Sequence, residues 1–487
     1  MKQLKYLLLI LTTITLVSSC KKDNEPSLVL DQTALYFSEW GAPAQTISFV
    51  PTNTMRVAQV SISDGFDCFI DNNRHIIVVT PSGDDEGKND ELPTNGTLHV
   101  NAISAAGETT GYTIYLYICQ EEVLDKDQKY ANCYIASTPG IKYSFDATHR
   151  PDGTPLNTTS AKLLWQSNSR VIKNTNFKDG IGSFFVEATD EDATKVVNTN
   201  GVIAAYNKGG EIVWSWHIWV VDENPENDTH TYSNGKTFMS KNLGAFTNSN
   251  GDSSTEKIYD SYGLYYQWGR KDPFPRPGEY NCAAGTGETI YNEDGTYYAK
   301  ELTKEISSTT GCVDYAIANP MQFITNPDCI EEGGDGIGDW LVTANNTLWS
   351  DDTKSVYDPC PAGWKVPSAS DLEVLFLSET EDATDLDKAR KQYGWNLSDG
   401  VQSFFYNACG YYRFNDGKIQ NMNYKEGVYP STPEPWEGYY WTTTSKADGS
   451  AVSLYFDLTT TRSINKFEKR KDSRRANGMQ VRCVKIQ

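Results

Sequence analysis

A chain of 487 residues is too long for one ordinary hydrophobic core, so about two to four domains are expected. Its 64 acidic residues outnumber 43 basic ones, giving a formal net charge of −21. That balance opposes phosphate binding, which needs clustered Lys and Arg, and argues against nucleic acid as a partner.

At the N-terminus, Lys2 and Lys5 precede an apolar run from Tyr6 to Val17, and Ser18-Ser19-Cys20 follows. A charged start, a short apolar core and small residues at the cut predict a signal peptide over residues 1–19. The run is too short for a permanent membrane helix, and no later stretch reaches the ~18 uncharged apolar residues that one needs. Cys20 directly after small residues resembles the bacterial lipobox, which implies that Cys20 is lipidated and becomes the new N-terminus. The polar stretch from Lys21 to Glu25 resembles the surface-export tether of Bacteroidetes lipoproteins, and residues 20–26 are read as that tether. The resemblance implies a membrane partner reached through the lipid anchor, at the cell outer membrane and facing outward, because several acyl chains hold stably where one is marginal.

Residues 27–121 read as β. Alternating runs occur at Gln45 to Val50, His75 to Thr80, Thr97 to Asn101 and Gly111 to Ile118. In the last, Tyr112, Ile114, Leu116 and Ile118 share one face and Thr113, Tyr115 and Tyr117 the other, the period of a half-buried strand. Short strands with polar turns predict a β-sandwich. The opening Leu28-Val29-Leu30 and Ala34-Leu35-Tyr36-Phe37, placed after a lipobox, resemble the BACON-type sandwich of Bacteroidetes surface proteins, which implies a spacer. Cys68 and Cys119 are available to pair within this domain.

Residues 122–225 are read as a second sandwich-like domain, with strand-like runs at Ala131 to Ile135, Ala161 to Gln166 and Gly201 to Tyr206. It resembles the β-rich middle region of Bacteroidetes surface and pilus-associated lipoproteins. In its most distinctive run, Gly210 to Val220, alternation puts Trp214, Trp216 and Ile218 on one face. Val213, Ser215, His217 and Trp219 fall on the other, so one face predicts core and the other a domain contact. Cys133 is left either buried and unbonded or bonded across domains. His217 has no second His nearby and reads as structural rather than as a metal ligand. The polar segment from Val221 to Asp228 reads as a linker.

Residues 226–487 form the third expected domain. Asn234-Gly235 between strand-like flanks predicts a hairpin. Ser370 and Glu373, with Leu372, Leu375 and Phe376 at helical spacing, predict a capped helix. Strands are predicted at Phe404 to Tyr406, Tyr439 to Thr443 and Val452 to Asp457. Four motifs recur in combination: Gly263-Leu264-Tyr265-Tyr266-Gln267-Trp268, Cys360-Pro361-Ala362-Gly363-Trp364-Lys365-Val366-Pro367, Tyr440-Trp441-Thr442-Thr443, and Gly478-Met479-Gln480-Val481-Arg482-Cys483. Together they resemble the major paralogous domain first described in Fibrobacter, a member of the C-type lectin-like superfamily. The resemblance implies an α+β recognition domain with long loops, inserted mainly around residues 275–355. Cysteines near both ends suit a closing disulfide, so Cys360 and Cys483 are expected to be bonded, directly or within the C-terminal set of six cysteines. The fold expected for the whole chain is a mostly β multidomain protein, with two β-sandwich-like domains ahead of the lectin-like one.

Catalytic chemistry has little footing. All five His precede Thr231, near which the third unit's strand-like runs begin, so nothing beyond that point offers a His for base catalysis. Formylglycine-generating enzymes are similar in fold, and Cys409 is the residue that reading would use; a structural role suits an exported cysteine better. The glycine-rich acidic loop around Asp335 and Asp339 offers oxygen ligands, so any metal held there is expected to be a structural calcium. Glu434-Pro435-Trp436 resembles the Glu-Pro-Asn of calcium-dependent lectins, but Trp436 occupies the position of the ligand Asn. Trp436, with Glu434 and Tyr439 beside it, is the expected recognition surface, because loops carry recognition. No other cofactor is expected. These readings point to a non-enzymatic surface protein for adhesion, or for capture of a glycan or protein. The alternatives are a tip or accessory subunit of a surface pilus and a formylglycine-generating-type catalyst.

Overall fold

The period-two pattern of the first domain is the pattern its strands use. The computed structural model describes residues 25–84, 92, 94–248, 254–282, 285–328, 338–377, 389–420, 422, 437–458 and 467–487. Contacts divide the chain into two units, Met1–Glu121 and Glu122–Gln487. In the first, β1 (Ser27–Leu30), β2 (Ala34–Phe37), β3 (Gln45–Thr52), β4 (Arg56–Ile62), β5 (Asp67–Asp71), β6 (Ile76–Thr80), β7 (Asn95–Ile103) and β8 (Thr109–Ile118) form two four-stranded sheets. Their orders are β1-β3-β6-β5 and β2-β8-β7-β4. Ile114 and Leu116 of β8 are fully buried, whereas Tyr115 is 48% exposed. They meet Leu98 and Val100 of β7 and Ile47, Ile77 and Val79 of the facing sheet. Each such side chain contributes about 1.5–3 kcal/mol by leaving water. Cys68 lies on β5 and Cys119 just beyond β8, on different sheets, and no disulfide joins them.

A second sandwich opens the larger unit. Its strands are β9 (Glu121–Val123), β10 (Cys133–Ala136), β11 (Lys142–Asp146), β12 (Ser160–Gln166), β13 (Ile172–Lys178), β14 (Ile181–Val186), β15 (Thr199–Tyr206) and β16 (Ile212–Val220). One sheet runs β10-β16-β15-β12 and the other β13-β14-β11-β9. The inner face of β16 places Trp214, Trp216 and Ile218 in a core with Phe145, Phe184 and Val186. Its outer face is buried as well. Trp219 joins Trp268 and Trp441 in another core, its Nε1 donating to the Ala245 carbonyl at 3.0 Å. Ser215 donates to Asp272 Oδ1 at 2.6 Å. A strand apolar on both faces must be covered on both, so residues 122–225 and 226–487, read from sequence as two domains, share one core here. Cys133 is a buried, unbonded thiol in that core.

The remainder is built from small sheets. Thr229–Thr231 and Thr237–Met239 pair as a hairpin around Asn234-Gly235, where Gly235 takes a φ of +82° that disfavours a side chain. Phe238 then pairs with Val484, and Trp364–Lys365 flanks Val484–Lys485 on the other side, so the region closes end to end. The Cys360–Cys483 disulfide fastens that closure across 123 residues, with the Cα atoms 6.1 Å apart. An antiparallel sheet of Glu437–Ser445, Ser450–Asp457 and Phe467–Arg474 separates two cores: Leu454 and Phe456 face one, Ala451 and Tyr455 the other. Among the described residues, two α-helices have both ends described, the six-residue α1 (Thr255–Asp260) and α2 (Val313–Ala318), and residues 389–391 are helical as well. With 43% strand and 4% helix among the described residues, the chain is a mostly β multidomain protein.

The helix expected at Ser370 is instead a series of tight turns. The amides of Asp371, Glu373 and Leu375 each reach back three residues, to the carbonyls of Ser368, Ser370 and Leu372. Phe376–Leu377 then pairs as a strand with Leu397 and Ser398. The Glu373 carboxylate that would close the capping box is taken by Arg470 at 3.0 Å. Leu372 and Leu375 are buried all the same, so the apolar spacing served packing without a helix.

Candidate functional site

A polar pocket of about 430 Å³ lies between the second sandwich and the insertion that follows α1. Its centre is Arg276, set between Pro275 and Pro277 on an irregular ladder. Pro277 bridges Gly287, and the Glu288 amide donates to the Arg276 carbonyl at 2.8 Å. Gly287 is required there, because a Cβ would stand 2.4 Å from the Tyr412 hydroxyl. The ladder puts two opposite charges side by side: Arg276 Nε donates to Glu288 Oε2 at 2.8 Å.

The end of α1 supplies the other wall. Arg276 Nη1 lies 3.4 Å from both Asp260 Oδ1 and the Tyr259 carbonyl. Its guanidinium rests over the Tyr259 ring at 4.1 Å and the Phe246 ring at 4.4 Å. Phe246 is held in place by its own amide, which donates to the Asp260 carbonyl at 2.7 Å. Burial works against the Arg276 charge, but Glu288, Tyr259 and Asp260 outweigh it, and the guanidinium is held above its ordinary range. Burial pushes the Glu288 carboxyl up, with Arg276 opposing, and raises Asp260 in the same way. Glu288 Oε1 is buried with no protein partner among the described residues.

The rim comes from the sandwich and from a turn docked on it. Ser167 and Asn168 follow β12, and Val197 and Asn198 precede β15. Tyr291 exchanges both backbone hydrogen bonds with Gln166 at the end of β12, at 2.8 and 2.9 Å. The turn Asn292 to Thr296, with Gly295 at φ +83°, folds Tyr297 back against Tyr291. Their rings stack at 5.4 Å, and Tyr297 is 70% exposed. The result is a carboxylate pair around a buried guanidinium, with side-chain amides and a hydroxyl alongside and an exposed aromatic face at the rim. Such a set suits a neutral, polyhydroxylated ligand, whose hydroxyls donate to carboxylates and whose ring stacks on Tyr.

The residues expected from sequence fall elsewhere. Cys20, Asp335, Glu434 and Trp436 lie outside the described residues. Tyr439 is in a strand and 8% exposed; its hydroxyl and that of Tyr455 donate to the two oxygens of Glu437 at 2.7 Å each. Its ring packs against Tyr411 at 4.9 Å. Asp339 is fully buried, 3.3 Å from Arg475 Nη1, and accepts the Leu341 amide at 3.1 Å. Burial pushes its carboxyl up to about 6. Among the described residues no group of three or more His, Cys, Asp or Glu is placed to hold a metal. His217 Nε2 lies 2.9 Å from Asn200 Oδ1, and burial holds its pKa down to about 3. Cys409 is fully buried, and burial pushes its thiol well up. Sequence reasoning missed Arg276, Glu288, Asp260, Tyr291 and Tyr297. The usable signal was a charged residue between two prolines, in an insertion rich in tyrosine.

No protein-family model matches the chain, and no curated protein matches it significantly. Among solved structures, the protocadherin gammaB7 EC3-6 cis-dimer is 14% identical, covering 42% of this chain and 52% of its own, with a TM-score of 0.16. A Bacteroides ovatus mixed-linkage glucan utilization locus protein, SGBP-B, in complex with a mixed-linkage heptasaccharide is 11% identical, with coverage of 40% and 47% and a TM-score of 0.14. The N-terminal Ig1-2 module of the Drosophila receptor protein tyrosine phosphatase DLAR is 12% identical, with coverage of 40% and 98% and a TM-score of 0.14. The chain thus spans about half the length of the first two. Similarity this slight assigns nothing beyond what the strands themselves show.

Proposed function

We propose that this chain is a surface recognition protein that binds carbohydrate in the pocket around Arg276. The observation that carries the reading is the stacked Tyr291–Tyr297 pair beside a pocket whose charged groups are Arg276, Glu288 and Asp260. A tyrosine ring pairs an apolar face with a polar tip, and a sugar ring is the partner that can stack on that face while its hydroxyls meet the carboxylates. Binding without catalysis is favoured by the engagement of both acids with Arg276 and by the burial of Cys409, since a formylglycine-type role needs a reachable thiolate. The lipobox-like Val17-Ser18-Ser19-Cys20 supports anchoring at the outer membrane through a lipid on Cys20, with the first β-sandwich as a spacer.

The test is a glycan array probed with the labelled chain from residue 21 onward, with and without a calcium chelator. Binding to a defined set of neutral glycans that survives the chelator supports the reading. A chain that binds no glycan contradicts it. Loss of binding with the chelator returns recognition to a calcium site such as the loop at Asp335.

A further inference from the structure

A second pocket, of about 280 Å³, lies elsewhere in the same unit, and its chemistry differs. It is lined by Arg482, His230, Ser240, Asn248, Ser403 and the Phe404 wall. Arg482 is 3% exposed and rests on the Tyr406 ring at 4.0 Å. Its Nε donates to Asn242 Oδ1 at 3.0 Å and its Nη1 to the Phe405 carbonyl at 2.8 Å. Both partners are neutral, and so is the Tyr406 hydroxyl that Arg482 also meets. Two other buried guanidiniums face acids, Arg276 facing Glu288 and Arg475 facing Asp339, whereas Arg270 is enclosed by Gln267 and backbone carbonyls and lines neither pocket. Arg482 has no carboxylate within 4.0 Å among the described residues.

A buried cation without a counter-ion is costly, and buried charges are normally paired. The neighbouring groups do not supply the missing charge. Asp399, the acid whose field reaches His230, is occupied by the amides of Ser233, Val401 and Gln402 at 2.7, 2.9 and 3.0 Å. His230 adds no positive charge: burial, and secondarily Arg482, hold its pKa down to about 3, and its ring stacks on Phe404 at 4.1 Å. The pocket therefore presents one positive charge, in a planar fork that matches a carboxylate. Around it stand the Ser403 hydroxyl, the Ser240 hydroxyl at 3.2 Å from His230 Nδ1, and the Asn248 amide, which donates to Asp228 Oδ2 at 3.2 Å, an acid that Lys241 pairs at 3.6 Å.

We propose that this pocket is a carboxylate site for an acidic sugar, with Arg482 pairing the carboxylate and Ser240, Asn248 and Ser403 meeting ring hydroxyls. The proposal does not depend on the first pocket. A single Arg favours a monoanion over a phosphate, and side-chain hydroxyls and amide suit a uronic acid.

The experiment is calorimetric titration of the chain from residue 21 onward, at neutral pH and low salt, with glucuronate, galacturonate, glucose and N-acetylglycine. A uronate is expected to bind at least tenfold more tightly than glucose. Arg482→Gln should abolish that binding. Because Arg482 is packed, Ser403→Tyr is the second variant: Ser403 is exposed and lines the mouth, so the fold should hold while uronate binding is lost. Tyr297→Ala, beside the first pocket and outside this one, should leave uronate binding unchanged. Equal binding of glucose, no uronate binding at millimolar concentration, or uronate binding indifferent to both pocket variants overturns the proposal. N-acetylglycine binding as tightly as the uronates would assign the site to a peptide carboxylate and overturn the sugar assignment.

Discussion

Arg276 and Glu288 are partners twice over: the Glu288 amide donates to the Arg276 carbonyl at 2.8 Å, and Arg276 Nε donates to Glu288 Oε2 at the same distance. Their side chains are only 8% and 6% exposed, so water does little to stabilise either charge alone. Arg276→Met should therefore cost about 3–5 kcal/mol by leaving Glu288 uncompensated. Adding Glu288→Gln should recover part of that loss, since the buried charge is then gone. Denaturant titration of both variants checks this. A single variant as stable as the parent would show that the pair contributes little to this unit.

Acid should loosen the larger unit through His217. Its folded pKa, about 3, lies below the ordinary 6.5, so the unfolded chain binds the proton first and stability falls as pH drops through that window. The loss from this group approaches about 1.4 kcal/mol per pH unit inside the window. Asp339 acts in the opposite sense. Its folded pKa is raised from 3.8 to about 6, so between those values stability falls as pH rises. Stability measured from pH 7 to 4.5 should fall less steeply in His217→Asn and more steeply in Asp339→Asn. Parallel pH profiles for all three proteins would contradict these assignments.

The Cys360–Cys483 bridge closes a loop across 123 residues. By the chain-entropy argument such a loop contributes about 4–5 kcal/mol, by restricting the unfolded chain. Cys360→Ser with Cys483→Ser should lower the denaturation midpoint accordingly, and non-reducing peptide mapping of the parent should recover the linked pair. Two free thiols at these positions in the oxidised protein would contradict the closure.

Much of the fold was legible because strand burial is local. The alternation in β8 and β16 names its inner residues directly, and tryptophans on both faces of β16 already signalled a second contact. The shared core showed what that contact was. The Ser370 helix failed for a non-local reason: Glu373 is drawn to Arg470, 97 residues away, and the chain continues as a strand. The pocket was illegible for the same reason. Arg276 and Glu288 meet only through an irregular ladder, and Ser167 and Asn198 reach them from a separate sandwich. Tyr439, expected at a binding surface, is a strand residue whose hydroxyl is taken by Glu437.

The central claim is tested most directly by Tyr297→Ala, with affinity and stability measured on the same protein. Tyr297 is 70% exposed, so its truncation should change unfolding stability by less than about 0.5 kcal/mol. Calorimetric titration with a neutral glycan selected on the array should show binding weakened at least about tenfold, as loss of an aromatic hot spot requires. Unchanged affinity in a stably folded variant would contradict carbohydrate recognition at this pocket.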